Sequence, residues 1–178
     1  MSTFVALLRG INVGKAKRIA MADLRVLLEG LGYTDVTTLL NSGNAVFHAT
    51  KGTSLKHAAD IATAIARQLQ SDVPVIVKSA EELNAVVAGN PWASSAPDHS
   101  QLLVAFAQDA QVLAGLKTIS PLVVAPEEFS VRAHAAYLHC ASGILESKAG
   151  KALLGKAGQA VTTRNWATVL KLQALAAQ

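Results

Sequence analysis

Arginine and lysine gathered around closely spaced glycines, just past an apolar strand, are a pattern that suits an oxyanion. The chain carries it in Arg9-Gly10-Ile11-Asn12-Val13-Gly14-Lys15-Ala16-Lys17, directly after Phe4-Val5-Ala6-Leu7-Leu8. Positive φ costs glycine little, so Gly10 and Gly14 let backbone N–H groups approach a ligand, and Arg9, Lys15 and Lys17 add charge. The segment is not a Walker A loop: it is one residue short between its glycines, and Ala16 stands where Mg²⁺ needs a hydroxyl. Nor does it fit G-x-G-x-x-G.

Two further segments share this small-polar character. Asn41-Ser42-Gly43-Asn44 offers Ser42 and Asn44 on a tight turn, and Thr162-Thr163-Arg164-Asn165 reads as the start of the last helix, capped at Thr162 or Thr163. At such a helix start free N–H groups favour an anion, and Arg164 offers a bidentate fork. The expected binding set is therefore Arg9, Gly10, Asn12, Gly14, Lys15, Lys17, Ser42, Asn44, Thr163, Arg164 and Asn165.

Other chemistries find little footing. His139 and Cys140 point to opposite faces of a strand, His134 lies too far along, and His48, His57 and His99 lack ligand spacing, so no metal or other cofactor is expected. Cys140 has no base beside it in sequence and reads as a small buried thiol. Glu81-Glu82 and Glu127-Glu128 read as capping and edge charges. Trp166, spaced with Leu170 on a helix face, reads as core.

Composition bounds the rest. The 178 residues are 51% hydrophobic and 16% charged, which excludes disorder, and no apolar run approaches the roughly 20 residues that span a bilayer. With one cysteine and no signal-peptide pattern, a soluble cytoplasmic protein without a membrane partner is expected. The net charge of +4 is unevenly spread: residues 1–20 carry Arg9, Lys15, Lys17 and Arg18 without an acid, and residues 145–178 are equally basic. The stretch between them is acidic.

These loops need elements to hold them. Periodicity predicts a strand at 3–9, a helix from Met21 to Leu31, a strand pair at 36–40 and 45–49, a helix from Ser54 to Gln70 and a strand at 74–78. Ser79-Ala80-Glu81-Glu82 then opens a short helix with a capping box. The aperiodic run after Gly89 divides the chain into lobes at 1–89 and 90–178. The second lobe reads as a strand at 101–107, a helix capped by Asp109, a loop at 120–126, strands at 128–132 and 136–140, a helix at 148–156, a short strand at 159–161 and the final helix. The expected fold class is α+β: two fused ferredoxin-like (βαββαβ-type) lobes with a C-terminal helix. That order also raises the RNA-recognition motif. However, Asn44 and Val46 occupy its stacking positions and aromatics are only 4%, so base stacking is disfavoured while phosphate contact is not.

Leu7-Leu8-Arg9-Gly10-Ile11-Asn12-Val13-Gly14, Met21-Ala22-Asp23-Leu24-Arg25, Asn41 to Phe47 and Thr162 to Leu172 together resemble the domain of unknown function 1697 family, a bacterial family. The resemblance implies an α+β protein with ferredoxin-like elements and no established activity. Arg9, Asn12, Ser42, Asn44, Arg164 and Asn165 match the family's pattern. The chain departs from it at Lys15-Ala16-Lys17-Arg18, at Ala20 where a proline is frequent, and at Gly143 to Lys148. Three functions stay open: a binding module for a phosphate-bearing small molecule or nucleic acid, an enzyme acting on a small anionic substrate through Asn12 and the arginines, or a structural or protein-interaction protein.

Overall fold

The computed structural model describes residues 1–15 and 17–178; Ala16, part of the expected loop, lies outside them. The chain forms two units, 1–83 with 172–178, and 84–171. Each holds a four-stranded antiparallel sheet, and the described residues also form six α-helices and three short 3-10 helices.

In the first unit, β1 (Ser2–Leu8) is one of the two inner strands of the order β2-β3-β1-β4. Its neighbours are β3 (Asn44–Ala49) and β4 (Val75–Ser79), and β2 (Thr34–Leu39) lies outside β3. Phe4 to Leu8 are all buried, which is why this strand reads as an unbroken apolar run and not as an alternation. One face carries Phe4, Ala6, Leu8, Ala45 and Phe47 into a core with Leu24, Leu27 and Leu28 of α1 (Met21–Gly30) and Ile61 and Ile65 of α2 (Ser54–Gln68). A fully buried Leu, Ile or Phe contributes about 1.5–3 kcal/mol, so this shared face sets where both helices lie.

The expected capping box is present at α3 (Ala80–Ala88). The Ser79 N–H donates to Glu82 Oε2 at 2.7 Å and the Glu82 N–H to Ser79 Oγ at 3.1 Å. The Ser54 hydroxyl joins the same Glu82 oxygen at 2.6 Å, tying the start of α2 to the start of α3. Burial alone would raise the Glu82 pKa, but these hydrogen bonds and the nearby Lys78 charge prevail and hold it below 4.5. Stability carried by a depressed carboxylate is present above its unfolded pKa and lost as pH falls through its folded one. Glu82→Ala should therefore cost about 1–2 kcal/mol near neutral pH, in urea denaturation, and much less near pH 3. A cost equal at both pH values would refute this.

The second unit repeats the order. β5 (Leu102–Ala107) lies inside β6-β7-β5-β8, where β6 is Glu128–Val131, β7 Ala136–His139 and β8 Val161–Asn165. Its core joins Leu103, Ala105, Ala136, Leu138, Cys140 and Val161 to Leu113 of α4 (Ala110–Gly115) and Leu153 of α5 (Lys148–Leu154). Asp109 caps α4 as expected, accepting from the Val112 N–H at 2.9 Å.

Three expectations are corrected here. The loop expected at 120–126 begins as a 3-10 helix, Leu116–Leu122, which buries Leu116 and Ile119. The short strand expected at 159–161 begins only at Val161 and runs to Asn165. Thr162 and Thr163 therefore do not cap the last helix: they pair with Phe106 and Ala105 in β8. The β-branched run Val161-Thr162-Thr163 favours extended backbone, and β5 offers an edge to pair with. The cap of α6 (Trp166–Ala176) is Asn165, whose Oδ1 accepts from the Thr168 N–H at 2.9 Å.

Candidate functional site

β1 ends at Leu8, and the chain enters a loop with left-handed backbone at Gly10 (φ 67°), Asn12 (φ 55°) and Gly14 (φ 54°). What fixes this loop is the Asn12 amide. Its Nδ2 donates to the carbonyls of Ile19 (2.7 Å) and Asn41 (2.8 Å), and its Oδ1 accepts from the Ile19 N–H at 3.0 Å. The Asn12 N–H donates to Lys17 O at 2.8 Å, closing the loop across its neck. Asparagine tolerates left-handed backbone better than other side-chain-bearing residues, so one residue supplies both the turn and the latch.

The Ser42-Gly43-Asn44 turn lies against this loop. Gly43 accepts from the Leu8 N–H at 2.8 Å, has φ 89°, and a Cβ there would meet Leu8 Cβ at 2.7 Å and Ile11 Cδ1 at 2.8 Å. Only glycine fits. Asn44 is fully buried and donates to Leu39 O (2.8 Å) and Ser42 Oγ (3.0 Å), so it shapes the turn from within. Asn44 and Val46 both lie buried in β3, so neither presents a base-stacking surface.

The cations ring the loop. Lys15, Lys17 and Arg18 are exposed and Arg9 is half-buried. Lys17 Nζ donates to Asp72 O, and Arg18 Nη2 to Gly14 O at 3.0 Å. A pocket of about 360 Å³ opens at Arg18, lined by Asn12, Arg18, Ile19, Ala20 and Asn41. The first unit thus brings together Arg9, Gly10, Asn12, Gly14, Lys15, Lys17, Ser42 and Asn44.

Thr163, Arg164 and Asn165 belong to the second unit, where they are the last three residues of β8. Arg164 is 8% exposed; its Nη1 donates to Thr162 Oγ1 and Thr163 O, both at 2.8 Å. Burial lowers its guanidinium pKa to about 10, which leaves it charged at neutral pH. Trp166 is buried, and so is Cys140, whose thiol pKa burial pushes up, away from a reactive thiolate. Among the described residues no group of three His, Cys, Asp or Glu side chains could hold a metal ion.

A second polar centre had no signal in ligand spacing. His57 is 3% exposed, and its ring meets Phe4, Tyr33 and Phe47 edge-on at centroid distances of 4.5, 5.1 and 5.7 Å. Its only sequence clue is its place four residues before Ile61 on the buried stripe of α2.

The profile of a family described as "Protein of unknown function (DUF1697)" matches residues 1–137, which include the latch, the turn and the basic rim. The chain belongs to the DUF1697 family. Its Thr162 to Leu172 motif lies beyond the matched span. No curated protein matches this DUF1697 member significantly. Among solved structures, a conserved bacterial protein, SP0830 from Streptococcus pneumoniae, is similar with a TM-score of 0.82 and 23% identity, covering 98% of each chain. At that identity the likeness speaks for the DUF1697 fold alone. No helix among the described residues is long and apolar enough to cross a membrane.

Proposed function

We propose that the first unit binds a phosphate-bearing ligand, a nucleotide or a nucleic acid backbone, on the loop from Arg9 to Arg18. The observation that carries this reading is the gathering of Arg9, Lys15, Lys17 and Arg18 on a loop whose backbone the Asn12 amide already fixes, beside an open pocket. A fixed loop does not have to be ordered when the anion arrives, so less of the charge attraction is lost to entropy. The repeated strand order, with the outer strands flanking β3-β1 and β7-β5, supports reading each unit as a ferredoxin-like lobe. A lone, buried cysteine supports a cytoplasmic setting, with no membrane partner in this reading.

The test is thermal denaturation against inorganic phosphate, nucleotides and oligonucleotides at low and high salt. A ligand at about 100 times its Kd stabilises by about 2.7 kcal/mol, which raises Tm by about 5–10 °C in a chain this long. Lys15→Glu with Arg18→Glu, both exposed, should abolish the shift and leave the unliganded Tm within about 2 °C. Salt-resistant stabilisation by one compound selects a nucleotide pocket, whereas salt-sensitive stabilisation by oligonucleotides selects backbone binding. No shift with any of them refutes the reading.

One observation favours a structural alternative. The Asn12 amide donates to Ile19 O and Asn41 O, the Asn44 amide to Leu39 O and the Arg164 guanidinium to Thr162 Oγ1, contacts that a purely structural role would use. Under that reading their loss would lower stability with no anion response to lose.

A further inference from the structure

His57 Nδ1 and the Tyr33 hydroxyl lie 2.9 Å apart, while the buried Nε2 has no hydrogen-bond partner among the described residues. The Tyr33 pKa is raised to about 12, chiefly by burial with a contribution from Asp60, so the phenol keeps its proton. If that O–H donates to Nδ1, the only orphan is an Nε2–H donor; the opposite tautomer would orphan the phenolic hydrogen as well. The first arrangement wins, because each buried unmade hydrogen bond costs about 1–3 kcal/mol. Burial lowers the His57 pKa, Lys56 adding to this and Asp60 opposing it, so the ring is neutral at neutral pH.

That ring lines a pocket of about 330 Å³ with Leu31, Tyr33, Ala49, Lys51, Lys56 and Asp60. Gly52 covers Nε2: its φ is 115°, and a Cβ there would stand 2.8 Å from that nitrogen. Lys56 and Asp60 neutralise one another at 2.8 Å, which leaves Lys51 as the surplus charge, on an apolar-walled pocket with a buried donor. We propose that this pocket binds a small apolar carboxylate, its oxygens accepting from His57 Nε2 and Lys51 and its body lying on Leu31, Tyr33 and Ala49. The turn carrying Lys51 and Gly52 shifts to admit it. Nothing in this proposal depends on the basic loop of the same unit.

The experiment is an NMR titration of the histidine imidazole ¹⁵N signals in the full chain, with benzoate as probe and benzyl alcohol as its neutral analogue. Benzoate should shift the His57 signals saturably, bind at least tenfold more tightly than benzyl alcohol, and weaken at least tenfold in Lys51→Glu. Lys51 is exposed, so this variant keeps the fold even if His57→Phe does not. Inorganic phosphate serves as the control for the basic loop and should leave the His57 signals in place. Unmoved imidazole signals with benzoate, or equal affinity in Lys51→Glu, would overturn the proposal.

Discussion

Arg164→Ala is expected to lower stability by about 3 kcal/mol, a fall in Tm of about 6–12 °C, while leaving the phosphate-induced stabilisation of the first unit in place. The side chain is 8% exposed, so its removal empties a space that the fold around β5 and β8 cannot simply close. It also withdraws a donor from Thr162 Oγ1 and Thr163 O, and buried acceptors left unmade cost about 1–3 kcal/mol. Arg164→Lys should recover only part of the loss, because a single ammonium cannot reproduce the guanidinium fork. Urea denaturation of the two variants, each with and without phosphate, separates the roles. A change under about 1 kcal/mol, joined to a lost anion response, would instead make Arg164 a ligand-binding residue.

The difference between Arg164 and Arg9 shows what a sequence carries. Both are cations beside small polar residues, and both fit an anion loop on composition. Thr162-Thr163-Arg164-Asn165 is locally compatible with a helix start and with a strand; pairing with β5 decides, and β5 lies some sixty residues away in the chain. The elements read correctly are those whose cause is local. Five consecutive apolar residues announce a strand covered on both faces, and Ser79 to Glu82 closes its capping box within four residues. Asn12 illustrates the opposite case: its amide spans to Ile19 and Asn41, partners that no spacing rule connects. His57 was hidden for another reason, since a lone histidine has no motif and only its place in the apolar stripe of α2 marks it as buried.

Asn12→Asp should do the largest damage to the proposed anion site. The substitution keeps size and keeps tolerance of the left-handed backbone at φ 55°, so geometry is not what changes. The amide nitrogen that donates to Ile19 O at 2.7 Å and Asn41 O at 2.8 Å becomes a carboxylate oxygen facing two acceptors. Two hydrogen bonds turn into two repulsions, a local penalty of about 3–4 kcal/mol. The loop is on the surface and can open before that full penalty is met, so the drop in overall stability should be nearer 2 kcal/mol. Phosphate affinity, which depends on the closed loop, should fall more than tenfold. Protonation restores one donor, and facing carbonyls raise the folded pKa of the new carboxyl above its unfolded value of about 3.9. A carboxyl with a raised folded pKa stabilises the fold as pH falls, so the gap between Asn12→Asp and the parent should narrow from pH 7 towards about pH 4. Asn12→Ala, which has no group to protonate, should show a gap that is flat over the same range. Equal phosphate affinity in parent and Asn12→Asp would mean that the latch does not hold the anion site, and the proposed function would have to leave this loop.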